Sequence, residues 1–228
     1  MRWSLSRGTS FLFGGSCYLC RGAARAVICG DCDAELPRLT RRLCPRCALA
    51  SPRGETCGRC LADPPPYDAT VAALAYEFPA DALIHALKFR GELALAPFLG
   101  SLLVQKVQDV DCIVPVPLSR ERLRERGYNQ SVEIARAIGR PIELDVCVRT
   151  RHTAAQIELP LADRGRNVRG AFLCARALDG RSVAVVDDVM TTGATLGEIA
   201  ATLKAAGAAR VTNWVVARTF PENAPPDV

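Results

Sequence analysis

The stretch Val183-Ala-Val-Val-Asp-Asp-Val-Met-Thr-Thr-Gly-Ala-Thr195 decides how the rest of the chain is read. Four apolar residues lead into two adjacent carboxylates, Asp187 and Asp188. A loop of small, hydroxyl-bearing residues around Gly193 follows, and a helical pattern begins there. This order predicts a buried strand running into an anion cradle. An open α/β sheet places its ligands at the carboxyl ends of its strands, and carboxylates there can accept hydrogen bonds from vicinal sugar hydroxyls. Thr191, Thr192, Gly193, Ala194 and Thr195 offer hydroxyls and backbone N–H groups that have no intrahelical partner, which suits a phosphate. Thr195 and Glu198 are spaced as a capping box, and Leu196, Ile199, Ala200 and Leu203 make one apolar stripe. Gly207 marks the stop. A sugar with hydroxyls on one side and a phosphate on the other is what this stretch would grip.

Composition bounds the remainder. With 228 residues, 49% hydrophobic and 23% charged, the chain can build one α/β domain plus a small accessory unit. No run approaches the roughly 18 apolar residues of a membrane span. Phe11-Leu-Phe13 is too short for a secretory core, so the sequence reads as cytoplasmic. The formal charge is +5, and with only Lys88, Lys106 and Lys204 as lysines it is carried almost wholly by arginine, whose planar fork suits phosphates.

Cysteine spacing sets the N-terminal third. Eight of eleven cysteines form four CxxC pairs, Cys17/Cys20, Cys29/Cys32, Cys44/Cys47 and Cys57/Cys60. Each pair presents two thiolates from a tight knuckle, and two knuckles complete a tetrahedral four-cysteine zinc site. Consecutive pairing leaves 8 and 9 residues inside the ribbons and 11 between them, which assigns Cys17, Cys20, Cys29 and Cys32 to one Zn²⁺ and Cys44, Cys47, Cys57 and Cys60 to the other. Interleaved pairing is the alternative. Two tetrathiolate centres, each carrying about −2, offset much of the arginine charge of residues 1–60, so DNA binding does not follow from that charge. Cys112, Cys147 and Cys174 lie in apolar runs and read as small buried hydrophobes.

A boundary is expected at Asp63-Pro-Pro-Pro66, between a double ribbon over 1–62 and an α/β domain over 67–220, with 221–228 a tail. Within 67–110, the pattern predicts a strand over 70–78 and helices over 80–89 and 92–107, with Lys88 at a cationic helix end. Residues 111–117 form a short apolar strand. Arginines at every second position, Arg120, Arg122, Arg124 and Arg126, suit a loop over 118–130 wrapped on an anion, ending at Asn129 and Gln130; a solvated helix is the alternative. Helix 131–138 and strands 142–148 and 211–217 complete a βαβ rhythm. The polar segment 149–170, carrying Arg149, His152, Thr153, Gln156, Arg164, Asn167 and Arg169, reads as a lid.

The thirteen residues quoted first resemble the phosphoribosyl-pyrophosphate (PRPP) loop of type I phosphoribosyltransferases. Together with the cysteine pairs, Ile84-His-Ala-Leu-Lys-Phe-Arg-Gly91, Pro115-Val-Pro-Leu118, Arg122-Leu-Arg-Glu-Arg-Gly-Tyr-Asn-Gln130 and Arg164-x2-Asn167, the series over residues 17–218 resembles the ComF family. That resemblance implies a mostly parallel sheet with flanking helices behind a double zinc ribbon, and PRPP bound with Mg²⁺ by Asp187, Asp188 and residues 191–195. From the residue patterns themselves, Lys88, Arg122, Arg126, Asn129, Gln130, Arg149, Arg164 and Asn167 are the candidates for the pyrophosphate side and the lid. The partners that the resemblance implies are single-stranded DNA and competence or DNA-translocation proteins. A working phosphoribosyltransferase of nucleotide metabolism and a zinc-ribbon interaction module on a PRPP-sensing domain are the other readings. No acceptor-base pocket is evident in the residues.

Overall fold

The computed structural model describes residues 15–40, 42–104, 106–107, 109–150 and 168–221. Their contacts divide into two units between Leu36 and Pro37, not at the Asp63-Pro66 stretch expected from composition. The first unit is small. Strands β1 (Gly15–Ser16) and β2 (Ala23–Ala24) pair antiparallel, helix α1 (Gly30–Ala34) follows, and both gather around Cys17, Cys20, Cys29 and Cys32.

The second unit begins with the other knuckle pair and helix α2 (Gly58–Ala62), then strand β3 (Ala69–Ala75), helix α3 (Ala80–Phe89), helix α4 (Leu95–Val104) and strand β4 (Cys112–Pro115). Helices α5 (Arg120–Arg126) and α6 (Gln130–Arg136) lead to strands β5 (Cys147–Arg149) and β6 (Phe172–Cys174), which pair antiparallel. Strand β7 (Ser182–Met190), helix α7 (Ala194–Ala205) and strand β8 (Arg210–Arg218) close the fold. The sheet is parallel throughout, in the order β3-β8-β7-β4. Its two central strands are β7 and β8, so Val183 to Val186 and Val211 to Ala217 are all buried, as strands covered on both faces require.

The second knuckle is built into this sheet. Residues just before it run antiparallel beside β3: Arg38 bridges Leu74, Leu39 N–H donates to Ala73 O at 3.1 Å and Ala75 N–H to Pro37 O at 2.8 Å. Thr70 N–H donates to Pro45 O at 2.9 Å. Leu39 and Ala48 join the same apolar core as Val183, Val185, Leu196 and Val215. At the other edge, Ile113 exchanges bonds with Pro141 O and Glu143 N–H, both at 2.8 Å.

Two elements differ from the pattern. Residues 120–126 are helical: Ser119 Oγ accepts from Arg122 N–H at 3.3 Å, and Gly127, at φ 81°, closes the end in the left-handed region. No residue of that helix is buried, which is why no apolar stripe announces it. The strand expected over 142–148 is reduced to an Ile142 bridge to Ile113 and to β5, starting at Cys147. Helix α4 crosses α6 closely, since a Cβ on Gly100 would lie 2.6 Å from both Ala137 Cβ and Ile134 O. That packing sets Ser131, at the start of α6, against β7.

Candidate ligand loop and metal sites

Asp187 and Asp188 occupy the carboxyl-terminal part of β7, and strand alternation sends them to opposite faces. Asp188, 2% exposed, takes an ion pair from Lys88 at 2.6 Å through Oδ1, while its Oδ2 is buried with no hydrogen-bond partner among the described residues. Asp187 Oδ1 accepts from Ser131 Oγ at 3.1 Å and from Asp188 N–H at 2.9 Å. Burial, and then the neighbouring Asp188 charge, push the Asp187 carboxyl up to about 7, against the pull of Lys88 and the two hydrogen bonds. Burial opposes the charge on Lys88, yet Asp188 and Asp187 hold its pKa above the ordinary lysine value. One cation thus serves two carboxylates. A donor reaching the buried, unpartnered Oδ2 would relieve a cost that such acceptors otherwise carry.

The loop after β7 differs from the expected capping box. Helix α7 begins at Ala194, and its N-cap is Gly193 at φ 85°. A Cβ there would lie 2.7 Å from Met190 Cε and 2.9 Å from the Tyr67 hydroxyl, so glycine is required twice over, by torsion and by space. Thr192 Oγ1 accepts from Ala194 N–H at 3.3 Å. The Glu198 carboxylate accepts from Gly170 N–H at 2.6 Å. Thr191 to Thr195 are all partly exposed, so the cradle is open to a ligand.

The other expected contacts separate into two groups. Arg149 lies near both Arg122 and Asp187: burial first, then Arg122, lowers its pKa, and Asp187 opposes the shift. Arg149 thus feels the charge of Asp187 on one side and of Arg122 on the other. Arg126 instead donates to Gln130 Oε1 and stacks on the Phe89 ring at 5.3 Å. Asn129 caps α6 by accepting from Ser131 N–H at 2.9 Å and donates to Val116 O at 3.0 Å, while Gln130 is buried. The last two are spent on structure. His152, Thr153, Gln156, Arg164 and Asn167 lie outside the described residues.

Three participants had no place in the site read from sequence: Ser131, Tyr67 and Arg218. Arg218 is 1% exposed. Its Nε donates to Cys47 O at 2.9 Å, and its Nη1 donates to Met190 O and Thr219 O, each at 2.9 Å, and to Thr191 O. The available signal was a charge ending the apolar run Val211 to Ala217. Tyr67 and Trp214 are buried, whereas Phe89 is 58% exposed.

The metal-ligating residues fall into Cys17/Cys20/Cys29/Cys32 and Cys44/Cys47/Cys57/Cys60, with all sulfurs of a set within 4.8 Å of one another. Consecutive pairing is therefore the arrangement present. Cys20 and Cys29 Sγ are 3.8 Å apart and Cys47 and Cys57 Sγ 3.6 Å, close to the ~3.8 Å edge of a tetrahedron with Zn–S near 2.3 Å. The eight thiols fit zinc. In both sets a backbone amide supports a ligand sulfur, as outer-shell donors do at metal centres: Cys29 N–H to Cys17 Sγ and Cys57 N–H to Cys44 Sγ, each at 3.3 Å.

Fold and sites together define a protein with two four-cysteine ribbon sites and a parallel α/β domain. Residues 9–61 match the double zinc ribbon domain family. The DNA utilization protein YhgH of Escherichia coli K12 is 37% identical over 223 residues, covering 90% of this chain and 98% of that protein. Competence protein F of Haemophilus influenzae is 31% identical over 220 residues, covering 88% and 90%. The chain belongs to the ComF family of competence and DNA-utilization proteins. Among solved structures, the allosteric regulatory enzyme of purine biosynthesis is similar with a TM-score of 0.37 and 25% identity, covering 54% of this chain and 25% of that one. No described helix is long and apolar enough to cross a membrane.

Proposed function

We propose that this chain is a cytoplasmic PRPP-binding protein that acts in DNA uptake or utilization, with single-stranded DNA as its partner. The observation that carries the PRPP reading is the buried, unpartnered Oδ2 of Asp188 beside Asp187, shortly before a glycine-capped helix N-terminus. Ribose hydroxyls would donate to the pair, and Thr191 to Thr195 would take the 5′-phosphate. Arg122 and Arg149 supply positive charge on the pyrophosphate side, where Mg²⁺, which binds through few carboxylates plus phosphate oxygens, would neutralise the leaving group. For DNA, the names of the relatives supply the process. The exposed Phe89 ring with Arg126 against it supplies a stacking surface of the kind that binds bases without sequence preference.

Calorimetry with Mg²⁺ and PRPP tests the site. Replacing Asp187 and Asp188 together by Asn should weaken binding by about 2–4 kcal/mol, the worth of one to two charge-assisted hydrogen bonds; unchanged affinity in a folded variant means that the pair is structural. Anisotropy of a labelled oligonucleotide across a salt series tests the DNA half, with Phe89→Ala expected to cost about 1–3 kcal/mol for every sequence alike. Failure to bind DNA, with pyrophosphate released when a base or amine is added, would replace this reading by a metabolic phosphoribosyltransferase.

A further inference from the structure

The second tetrathiolate site and the loop after β7 share their supporting atoms. A single buried guanidinium, Arg218, holds the carbonyl of the metal ligand Cys47 on one side and the carbonyls of Met190 and Thr191 on the other. A second path runs through Tyr67. Arg46, inside the same knuckle, donates to Pro65 O at 3.3 Å and Tyr67 O at 3.5 Å, and the Tyr67 hydroxyl occupies the space a Cβ on Gly193 would fill. Pro66 and Tyr67 also border Gly197 in the first turn of α7. The cysteine knuckle, the proline stretch and the phosphate-type loop are therefore joined by direct contact, all within the unit that begins at Pro37.

We infer that Arg218 is a positioning residue for the loop, and that metal occupancy at Cys44/Cys47/Cys57/Cys60 is thermodynamically linked to ligand binding at Thr191 to Thr195. The physical reason is geometric. Arg218 donates in two directions from a rigid fork, so the Cys47 carbonyl and the Met190 and Thr191 carbonyls keep fixed places relative to one another. Four thiolates closed on a metal fix the Cys47 carbonyl; four free thiols do not, and their loosening passes to the loop through that fork. Linkage is reciprocal, so a ligand that orders the loop must tighten the metal by the same factor. The inference rests on the proposed reading of the loop as a phosphate site, but half of its test does not.

The test uses the full-length, zinc-loaded protein. Hydrogen exchange of the amides of residues 191–195 is compared in wild type, Cys20→Ser, Cys57→Ser and Arg218→Lys. Arg218→Lys keeps the charge, loses the fork, and should still fold and hold two zinc ions. Exchange in the loop should rise about 10-fold in Cys57→Ser and Arg218→Lys and stay unchanged in Cys20→Ser. In parallel, zinc affinity is measured by equilibrium competition with a coloured chelator, with and without Mg²⁺ and PRPP. PRPP should tighten zinc at the second site about 10-fold in wild type, and not in Arg218→Lys. Loop exchange that is equal in Arg218→Lys and wild type, or that rises as much in Cys20→Ser as in Cys57→Ser, overturns the inference. Absence of PRPP binding to the wild type overturns the proposed function instead, and the exchange comparison still decides the linkage.

Discussion

The chain contains the same knuckle unit twice, and the two copies serve different ends. In both, the first cysteine N–H donates five residues ahead (Cys17 to Gly22 O, Cys44 to Leu49 O, each 2.8 Å), and its carbonyl accepts from the residue four ahead at 2.9 Å. That residue has a positive φ, 62° at Arg21 and 55° at Ala48, and the third cysteine opens a five-residue helix in each copy. The surroundings differ. In the first copy only Cys17 is buried, and no residue of α1 is. In the second, Cys44, Cys47 and Cys60 are buried, Ala48 belongs to the sheet's core and the Cys47 carbonyl holds Arg218. One motif lies in a small unit of its own; the other has become part of an α/β domain's wall.

The largest expected effect breaks or keeps that contrast directly. Cys47→Ser should lower the stability of residues 37–221 by several kcal/mol, because the second metal site loses a thiolate and no longer fixes the main-chain carbonyl that Arg218 holds. Cys20→Ser should leave it within about 0.5 kcal/mol. Thermal unfolding read from the buried Trp214 and from exchange of β8 amides measures both. Equal losses would mean that the two ribbons are energetically alike. A smaller effect approaches from the loop side: Gly193→Ala should cost about 1–2 kcal/mol, from the left-handed backbone alone, and should loosen zinc at the second site only, because the new methyl presses on Tyr67. The smallest effect is a control inside the same unit but away from the knuckle. The Asp187 carboxyl is raised to about 7 from 3.8, so the folded state holds a proton that the unfolded chain releases. Stability from this group is full below about pH 4 and lost as pH rises through 7. Asp187→Asn should therefore raise stability at pH 8 by about 1 kcal/mol or more and flatten the slope between pH 4 and 7, while zinc affinity at either site stays put. Denaturant melts at pH 5 and pH 8 check it.

What could be read from the residues depended on whether the information was local. Helix 80–89, with Leu83, Ile84 and Leu87 on one face, carries its own period and has those bounds in the structure. The strand through Asp187 and the helix behind it are equally local, and the cysteine sets follow from spacing. Helix 120–126 was hidden because RERLRER has no apolar stripe; its Ser119 cap and Gly127 stop were the signals that outweigh composition. The Thr195/Glu198 box had the right spacing, but Glu198 serves Gly170, 28 residues away. The fusion of the second knuckle to the sheet rests on bonds spanning up to 171 residues, such as Arg218 to Cys47. No window of sequence contains both ends of those.

Pro37 to Leu39, lying along the outer side of β3, have a colloidal consequence. An uncovered edge of a parallel sheet is a row of unpaired amides and carbonyls ready to recruit another chain, and this edge is shut by residues tethered to a metal knuckle. Loss of that metal would be expected to reopen the edge. A protein stripped of the second ion should turn cloudy, by strand addition at Leu74, before its helices are seen to melt.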